Sequence, residues 1–203
     1  MADFEVIFMD AGQGDCTLIV YPDNSVTLVD CGSTKSGAQA FEGIKKVANE
    51  RLENSGGFVT LVLTHPDEDH YNLIHKLDKK DRLLDKLIGA YYGGDIELYQ
   101  NKKDNDYTYN LLSHLQDHEM AGPPENTTST TPNGLLSRAG VNVTILAANC
   151  TGEPESESGV KKNANSIVLL VEYQQAKIFL MGDAFFQTEK FIHDAYQRAG
   201  GRY

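Results

Sequence analysis

The sequence predicts an α/β protein in which an early and a late group of strands are separated by helices and a long loop. Short β-branched and apolar runs that end in glycine or acidic residues indicate the strands, and apolar residues at helical spacing indicate the helices. With 203 residues, 40% of them hydrophobic, the chain can bury a sizeable core. We expect one domain, with a first half over residues 1–120, a loop over 121–140 and a short second half over 141–203.

Each element is predicted from its local pattern. In the first half, strands are predicted at 4–9, 16–21, 26–29, 58–63 and 88–92, and helices at 38–52, 71–77, 79–87 and 106–120. In the second half, strands are predicted at 141–146, 166–173 and 177–181, and a helix at 186–199. The stretch 121–137 is rich in proline, threonine, asparagine and glycine, which predicts a surface loop and a candidate lid. Residues 149–162 are predicted to form an acidic, flexible loop.

Charge and composition argue against several classes of protein. The net charge of -11 is unfavourable for a nucleic-acid binder that works by charge neutralisation, because such proteins carry basic stripes. No apolar run is long enough to cross a bilayer, and the N-terminus lacks the basic region and cleavage site of a signal peptide. Cys16, Cys31 and Cys150 form no CxxC pair and are expected to be packing residues in a reducing compartment. We therefore expect a cytoplasmic protein.

A dense polar cluster, THPDEDH, follows the predicted strand 58–63, and strand ends are where α/β proteins place ligands. The candidates for metal binding in this motif are His65, Asp67, Asp69 and His70. Four such groups within six positions suit a tight loop whose side chains converge. The alternative interpretation is a solvated acidic turn, which is less consistent with this density of ligands directly after an apolar strand.

Acids follow three other predicted strands. Asp15, Asp30 and Asp183 each lie beside glycines, which allow a sharp turn and close approach of the backbone. We therefore expect these carboxylates near the strand ends, where they can contribute to the same site.

Two histidines on the predicted helix 106–120 form a weaker candidate. His114 and His118 are four residues apart, which places them on one face of a helix. No glutamate of an HExxH motif accompanies them, and the helix is polar, so a solvated face is the favoured interpretation. His75 is expected at the surface.

Five segments in chain order carry a resemblance to a known family: 10–15 (DAGQGD), 28–32 (LVDCG), 64–70 (THPDEDH), 163–170 (NANSIVLL) and 182–184 (GDA). On these segments the chain resembles the metallo-β-lactamase superfamily, and most closely the metallo-hydrolase domain of ComEC-type competence proteins. The resemblance implies an αββα sandwich of two mixed β-sheets with helices outside. It also implies a metal site at the strand ends along one edge.

The resemblance assigns roles to individual residues. A first divalent metal would be bound by His65 and Asp67, and a second by Asp69 and His70. Asp183 would bridge the two. Position 67 holds aspartate where the superfamily commonly has histidine, and this more anionic ligand set shifts the preference from zinc toward manganese or magnesium without excluding zinc.

Three further residues are expected around those ligands. Asp15 and Asp30 are better placed as acceptors that orient His65 or His70. Asn165 lies where other members supply a histidine, and we interpret it as a weak ligand or a substrate contact.

The C-terminus departs from the ComEC-type pattern. Those domains continue past the Gly-Asp-Ala turn and its helix to a His-His-Gly-Ser segment that completes the second metal, whereas this chain stops at Tyr203. We expect either a truncated or unusually short form, or a site that binds one ion instead of two.

These features predict a metal-dependent hydrolase. Bound zinc or manganese would lower the pKa of a water molecule and supply hydroxide, and Asp69 is the best candidate to orient that water and accept its proton. The resemblance implies a phosphodiester substrate, with nucleic acid as the candidate polymer.

Two alternatives remain open. Thioesters, lactones and β-lactams are alternative substrates, because their hydrolysis needs the same hydroxide. The other alternative is not an enzyme: the chain could be a binding or regulatory module that keeps the fold but has an incomplete metal site. The sequence carries no indication of oligomeric state.

Overall fold

The computed structural model describes residues 3–34, 38–54, 59–81, 86–124, 128–150 and 162–201. The strands are β1 (Glu5–Phe8), β2 (Cys16–Val20), β3 (Val26–Cys31), β4 (Val59–Leu63), β5 (Leu87–Tyr92), β6 (Ala121–Gly122), β7 (Asn142–Ala147), β8 (Val168–Tyr173) and β9 (Ala176–Leu180). The α-helices are α1 (Ala38–Asn54), α2 (Glu68–Tyr71), α3 (Ile74–Asp81), α4 (Tyr107–Asp117) and α5 (Phe186–Arg198). Two short 3-10 helices, Ile96–Tyr99 and Lys102–Asp104, lie between β5 and α4. None of the helices in these ranges is long and apolar enough to cross a membrane.

The strands form two sheets. In the first, the order is β1-β2-β3-β4-β5-β6, with β1 to β3 antiparallel and β3 to β6 parallel. The second sheet has the order β7-β8-β9, and its described strands are all antiparallel. Only the first sheet is therefore mixed within the described residues. A two-residue turn joins β8 to β9, and so short a connection permits only antiparallel pairing.

Apolar side chains cover both faces of the sheets, which stack as the inner layers of a sandwich. Successive residues of a strand point to opposite faces. Leu18 of β2 packs beneath the helices, whereas its neighbour Ile19 meets Leu169 of β8 in the core between the sheets. On the outer side of the second sheet, Leu170 packs with Phe191 of α5. Helices cover both outer faces, and the predicted αββα sandwich is confirmed.

The THPDEDH motif was predicted to form a tight loop, but its second part belongs to helix α2. Residues Glu68–Tyr71 form a single helical turn. The amide of His70 donates to the carbonyl of Asp67 at 2.9 Å, and the amide of Asn72 donates to that of Glu68 at 2.9 Å. Only the first part of the motif is a loop, because these local hydrogen bonds wind the second part into a turn of helix.

Two other boundaries differ from the prediction. Helix α3 starts at Ile74 and contains residues 79–81, which the pattern assigns to a separate helix; residues 82–85 of that predicted helix lie outside the described ranges. The predicted loop 121–137 opens with β6, whose two residues extend the first sheet beside Ala90 and Tyr91 of β5. Most of the predicted acidic loop 149–162 also lies outside the described residues.

The parallel pairing of β3 with β4 positions the candidate site. Val26 to Val29 pair in register with Val59 to Val62, so the residues that follow the two strands emerge side by side. The segment before β8 joins them, because the amide of Ile167 donates to the carbonyl of Thr64 at 2.9 Å. Strand ends from both sheets therefore meet along one edge of the sandwich.

Candidate metal centre

A buried hydrogen-bond pair joins the ends of β3 and β4. The amide and hydroxyl of Thr64 donate to the two carboxylate oxygens of Asp30, at 2.7 and 2.6 Å. Asp30 has a left-handed backbone with φ of 54°, a conformation that aspartate tolerates better than most residues. This turn directs the Asp30 carboxylate inward beneath the THPDEDH motif.

The Asp30 carboxylate also fixes the ring of His70 on α2. The Nδ1 atom of His70 lies 2.8 Å from Asp30 Oδ2, and both side chains are buried. A carboxylate only accepts, so Nδ1 carries the proton and donates. The opposite ring atom, Nε2, faces Asp183 Oδ1 at 3.4 Å. Asp30 therefore orients the ring so that Nε2 points into the site.

His65 is oriented by the Thr64 hydroxyl. That hydroxyl gives its hydrogen to Asp30, so it accepts from His65 Nδ1, which lies 3.1 Å away. The Nε2 atom of His65 lies 3.6 Å from Asp67 Oδ2 and 3.8 Å from Asp183 Oδ2. It is fully buried and finds no hydrogen-bond partner in the described parts of the chain.

Glycines let the backbone segments around the site approach closely. A Cβ atom at Gly32 would collide with the backbone of Asp69 and His70, so α2 rests directly on the turn after β3. Gly182 has φ of 53°, and a Cβ there would lie 2.7 Å from the Thr64 hydroxyl. Side chains at these positions would push α2 and the Asp183 turn away from the strand ends.

Two groups of donor atoms converge at this edge. The first comprises His65, His70 and Asp183, and the second Asp15, Asp30 and His70; within each group the ligand atoms lie within 4.8 Å of one another. In the second group, Asp30 already accepts three hydrogen bonds, which makes it an orienting residue. The first group fits a divalent cation, because a buried imidazole nitrogen without a partner faces a carboxylate.

The electrostatics of the cluster are dominated by His70. Burial alone would lower the pKa of His70, but its hydrogen bonds to Asp183 and Asp30 outweigh burial and raise the pKa to about 10. The same hydrogen bond with His70 lowers the pKa of Asp183. Burial raises the pKa of Asp15, which lies 3.9 Å from His70 Nδ1. A protonated His70 therefore offsets part of the negative charge of these carboxylates.

Three predicted residues, Asp67, Asp69 and Asn165, lie at the same edge but outside both groups. Asp69 is half-buried on α2, and its carbonyl accepts from the amide of Asp15 at 3.2 Å; its carboxylate belongs to neither group among the described residues. Asn165 is buried against the turn after β5, where its Nδ2 would lie 2.9 Å from a Cβ on Gly94. The structure thus brings Asn165 to the strand ends facing that turn.

The remaining histidines lie away from the centre. His114 and His118 are exposed on the last turn of α4, with ring centroids 4.5 Å apart. His118 Nδ1 lies 2.8 Å from the carbonyl of His114, which occupies one of its two nitrogens locally. His75 is half-buried near the ring of Tyr107, and His193 is exposed on α5.

Two residues of the centre carry no role in the sequence prediction. Thr64 links Asp30 to both histidines, and Lys162 contacts Asp67 Oδ1 at 2.9 Å. The contact with His65, followed by that with Lys162, lowers the pKa of Asp67 to about 2 against the opposing effect of burial. Both residues adjoin a motif of the sequence analysis, which is a signal that could have identified them. Thr64 is the first residue of THPDEDH, and Lys162 directly precedes the NANS segment.

An α/β sandwich with histidines and aspartates converging at one strand edge defines a candidate metalloprotein. Residues 9–85 match the family model of the metallo-beta-lactamase superfamily, a segment that contains the THPDEDH motif, Asp15 and Asp30. The two-sheet architecture is consistent with the fold of that superfamily, whose members are generally hydrolytic enzymes that bind divalent metals. The match does not distinguish a ComEC-type branch. No curated protein matches the chain in sequence.

Metal affinity is expected to increase with pH. In the metal-free protein, His70 has a pKa of about 10, and its Nε2 must lose a proton before it can bind an ion. Because binding releases this one proton, the apparent affinity for Mn²⁺ should rise about tenfold per pH unit between about pH 7 and pH 9. Competition with a fluorescent chelator measures this affinity, and a constant affinity over the range would contradict the assignment of Nε2 as a ligand.

The metal-free protein supplies the control for this trend. The pKa of His70 rises from 6.5 to about 10 on folding, so its stabilising contribution is complete below 6.5 and is lost as pH rises through 10. Urea unfolding with chelator present should show a smaller free energy of unfolding at about pH 9 than at about pH 7. Metal binding and metal-free stability should therefore change in opposite directions.

Proposed function

We propose that this chain is a metal-dependent hydrolase of the metallo-β-lactamase superfamily. The observation that carries the proposal is the buried Nε2 of His65, which has no hydrogen-bond partner among the described residues and faces the carboxylate of Asp183 beside the Nε2 of His70. Burying a polar atom without a partner costs free energy, and a cation bound there would remove that cost. The match of residues 9–85 to the superfamily supports the same chemistry.

The metal would be held by His65, Asp67, His70 and Asp183. The two oxygens of Asp183 face different histidines, Oδ2 toward His65 and Oδ1 toward His70, which suits a carboxylate that bridges two ions or chelates one. When bound, zinc or manganese supplies Lewis acidity that brings the pKa of a water molecule near neutrality. The carboxylate of Asp67 favours manganese more than a histidine at that position would.

Asp69 is proposed as the residue that orients the attacking water and accepts its proton. It lies between Asp67 and His70 in the sequence, on α2. Its backbone is held by the hydrogen bond from the amide of Asp15, whereas its half-buried carboxylate lies outside both donor groups. A general base must come within hydrogen-bond reach of the proton that it accepts, and the place of Asp69 beside His70 on α2 supports that role.

The proposed substrate is a phosphodiester, with nucleic acid as the candidate polymer. The support for this choice is the resemblance of the five segments to ComEC-type domains. The side chains of Asp15 and Asp183 are about half exposed, so the cluster opens to solvent on one side and can admit a substrate.

The test uses protein purified without chelator, assayed for metal content and for cleavage of bis-p-nitrophenyl phosphate with added Mn²⁺ or Zn²⁺. Asp69→Ala should lower kcat by about 10²–10⁴-fold while the bound metal and the circular dichroism spectrum stay unchanged. Glu68→Gln is the matched control, because Glu68 is the neighbouring acid on α2 and pairs with Lys103; it should retain activity.

Three results would overturn parts of this proposal. Protein that binds no metal and gains no activity would be a binding or regulatory module. Cleavage of a thioester, lactone or β-lactam without cleavage of the phosphodiester would change the substrate class. Unchanged turnover in Asp69→Ala would remove that residue from the mechanism.

A further inference from the structure

Lys162 reaches the candidate metal centre from the second half of the chain. It belongs to the described segment 162–167 that precedes β8, and the hydrogen bond from Ile167 to Thr64 anchors that segment to the end of β4. The Nζ atom of Lys162 lies 2.9 Å from Asp67 Oδ1 and donates to the carbonyl of Pro66 at 3.2 Å. Two acceptors on neighbouring residues therefore hold the ammonium group in place.

The two oxygens of Asp67 have separate partners. Oδ1 contacts Lys162, whereas Oδ2 faces the unpaired Nε2 of His65 at 3.6 Å. The ammonium group and a metal at His65 would therefore bind different oxygens of the same carboxylate, and neither displaces the other. Because Oδ1 is occupied, only Oδ2 is directed at the metal.

Asp67 has a competing local conformation. It occupies the N-cap position of α2, with an extended backbone at φ of −91° and ψ of 139°. An aspartate at an N-cap usually turns its side chain back to accept from an amide in the first turn of its helix. Within the described residues, Asp67 makes no such capping bond. The contact with Lys162 keeps the carboxylate away from the helix and toward His65.

We propose that Lys162 is a positioning residue of the metal centre, which holds Asp67 as a ligand through one oxygen. This inference rests on the proposed function, because it requires a divalent ion at His65, Asp67 and Asp183. Without Lys162, the Asp67 side chain can rotate to cap α2, which removes its carboxylate from the ligand set. Residues that orient ligands typically contribute 10–100-fold to metal affinity.

Whether the removal of Lys162 weakens or strengthens Mn²⁺ binding distinguishes a positioning role from a purely electrostatic one. Removing a positive charge beside the site would by itself strengthen the binding of a cation. Loss of the orienting contact weakens that binding. Lys162→Met should therefore bind Mn²⁺ about tenfold more weakly than the unmodified chain, in spite of the more favourable charge.

The experiment measures Mn²⁺ affinity by chelator competition, together with the visible spectrum of the Co²⁺-loaded protein, which reports the number and geometry of the ligands. Lys103→Met is the matched control, because Lys103 pairs at 2.7 Å with Glu68, the residue next to Asp67, and is largely exposed. It removes the same charge and should leave both readouts unchanged. Lys162→Arg, which keeps the charge and the donors, should restore most of the affinity.

A combined variant tests whether Lys162 acts through Asp67. In an Asp67→Asn background, Lys162→Met should cause little further loss of Mn²⁺ affinity, because the residue that it positions has already been changed. Equal or tighter binding by Lys162→Met in the otherwise unmodified chain, with an unchanged Co²⁺ spectrum, would overturn the positioning role alone. Failure of the unmodified chain to bind any ion would overturn the proposed function and this inference with it.

Discussion

Asp183→Asn is expected to abolish hydrolysis and to weaken divalent metal binding by more than about 100-fold. Asp183 lies between His65 and His70, with one oxygen 3.8 Å from the first and the other 3.4 Å from the second. Asparagine keeps the shape of the side chain but removes its charge and one acceptor oxygen. The cluster would then offer an ion two neutral imidazoles without the carboxylate between them.

The measurement is metal content after dialysis, followed by titration with Mn²⁺ and turnover of bis-p-nitrophenyl phosphate. Asp194→Asn is the matched control, because Asp194 is an exposed aspartate on α5 of the same half of the chain and contacts His193. That variant should behave as the unmodified chain does. Retention of metal and activity in Asp183→Asn would show that the His65 and His70 group is not the metal centre.

Asp30→Ala is expected to lower the free energy of unfolding by about 3–5 kcal/mol, the range for removing one partner of a buried ion pair. Asp30 is 1% exposed, and it accepts hydrogen bonds from the amide and hydroxyl of Thr64 and from His70 Nδ1. Alanine would leave these donors buried without an acceptor. It would also have to adopt the left-handed backbone at φ of 54°, which is costly for a residue with a Cβ and no local hydrogen bond.

The measurement is urea unfolding of the metal-free protein, monitored by circular dichroism. Asp30→Asn is the informative companion, because asparagine tolerates the left-handed backbone and keeps one acceptor oxygen for Thr64 or His70. It should lose less stability than alanine while still weakening metal binding, since His70 is no longer held by a carboxylate. Near-native stability in both variants would mean that the buried network does not support the strand ends.

Much of the fold was predictable because its elements have strong local patterns. The first three strands and β4 are short apolar runs, and each lies within three residues of its predicted bounds. The continuous apolar run of β2 indicates burial on both faces, although the partner of each face is not visible in the sequence. The one-turn helix α2 was not predicted; its backbone packs closely against Gly32.

The candidate site was predictable in its residue types more than in its grouping. The density of ligands in THPDEDH indicated a site, and the structure brings His65 and His70 together, with ring centroids 4.1 Å apart. The resemblance divided these histidines between two metals bridged by Asp183, and both histidines face Asp183 in the structure. The roles of Thr64 and Lys162 were not predicted, because threonine and lysine are common residue types that do not by themselves indicate a metal site. Their importance comes from the carboxylates that they contact.

The sequence by itself determined the local chemistry of this protein: where strands end, where glycines permit close approach, and which residues can bind a metal. These properties depend on neighbours along the chain. Only the tertiary structure decided which of those residues meet. Parallel pairing of β3 with β4 brings Asp30 to Thr64, and the second sheet delivers Asp183 and Lys162 to the same edge. Those contacts join distant parts of the chain, and the packing of two sheets around one core sets them.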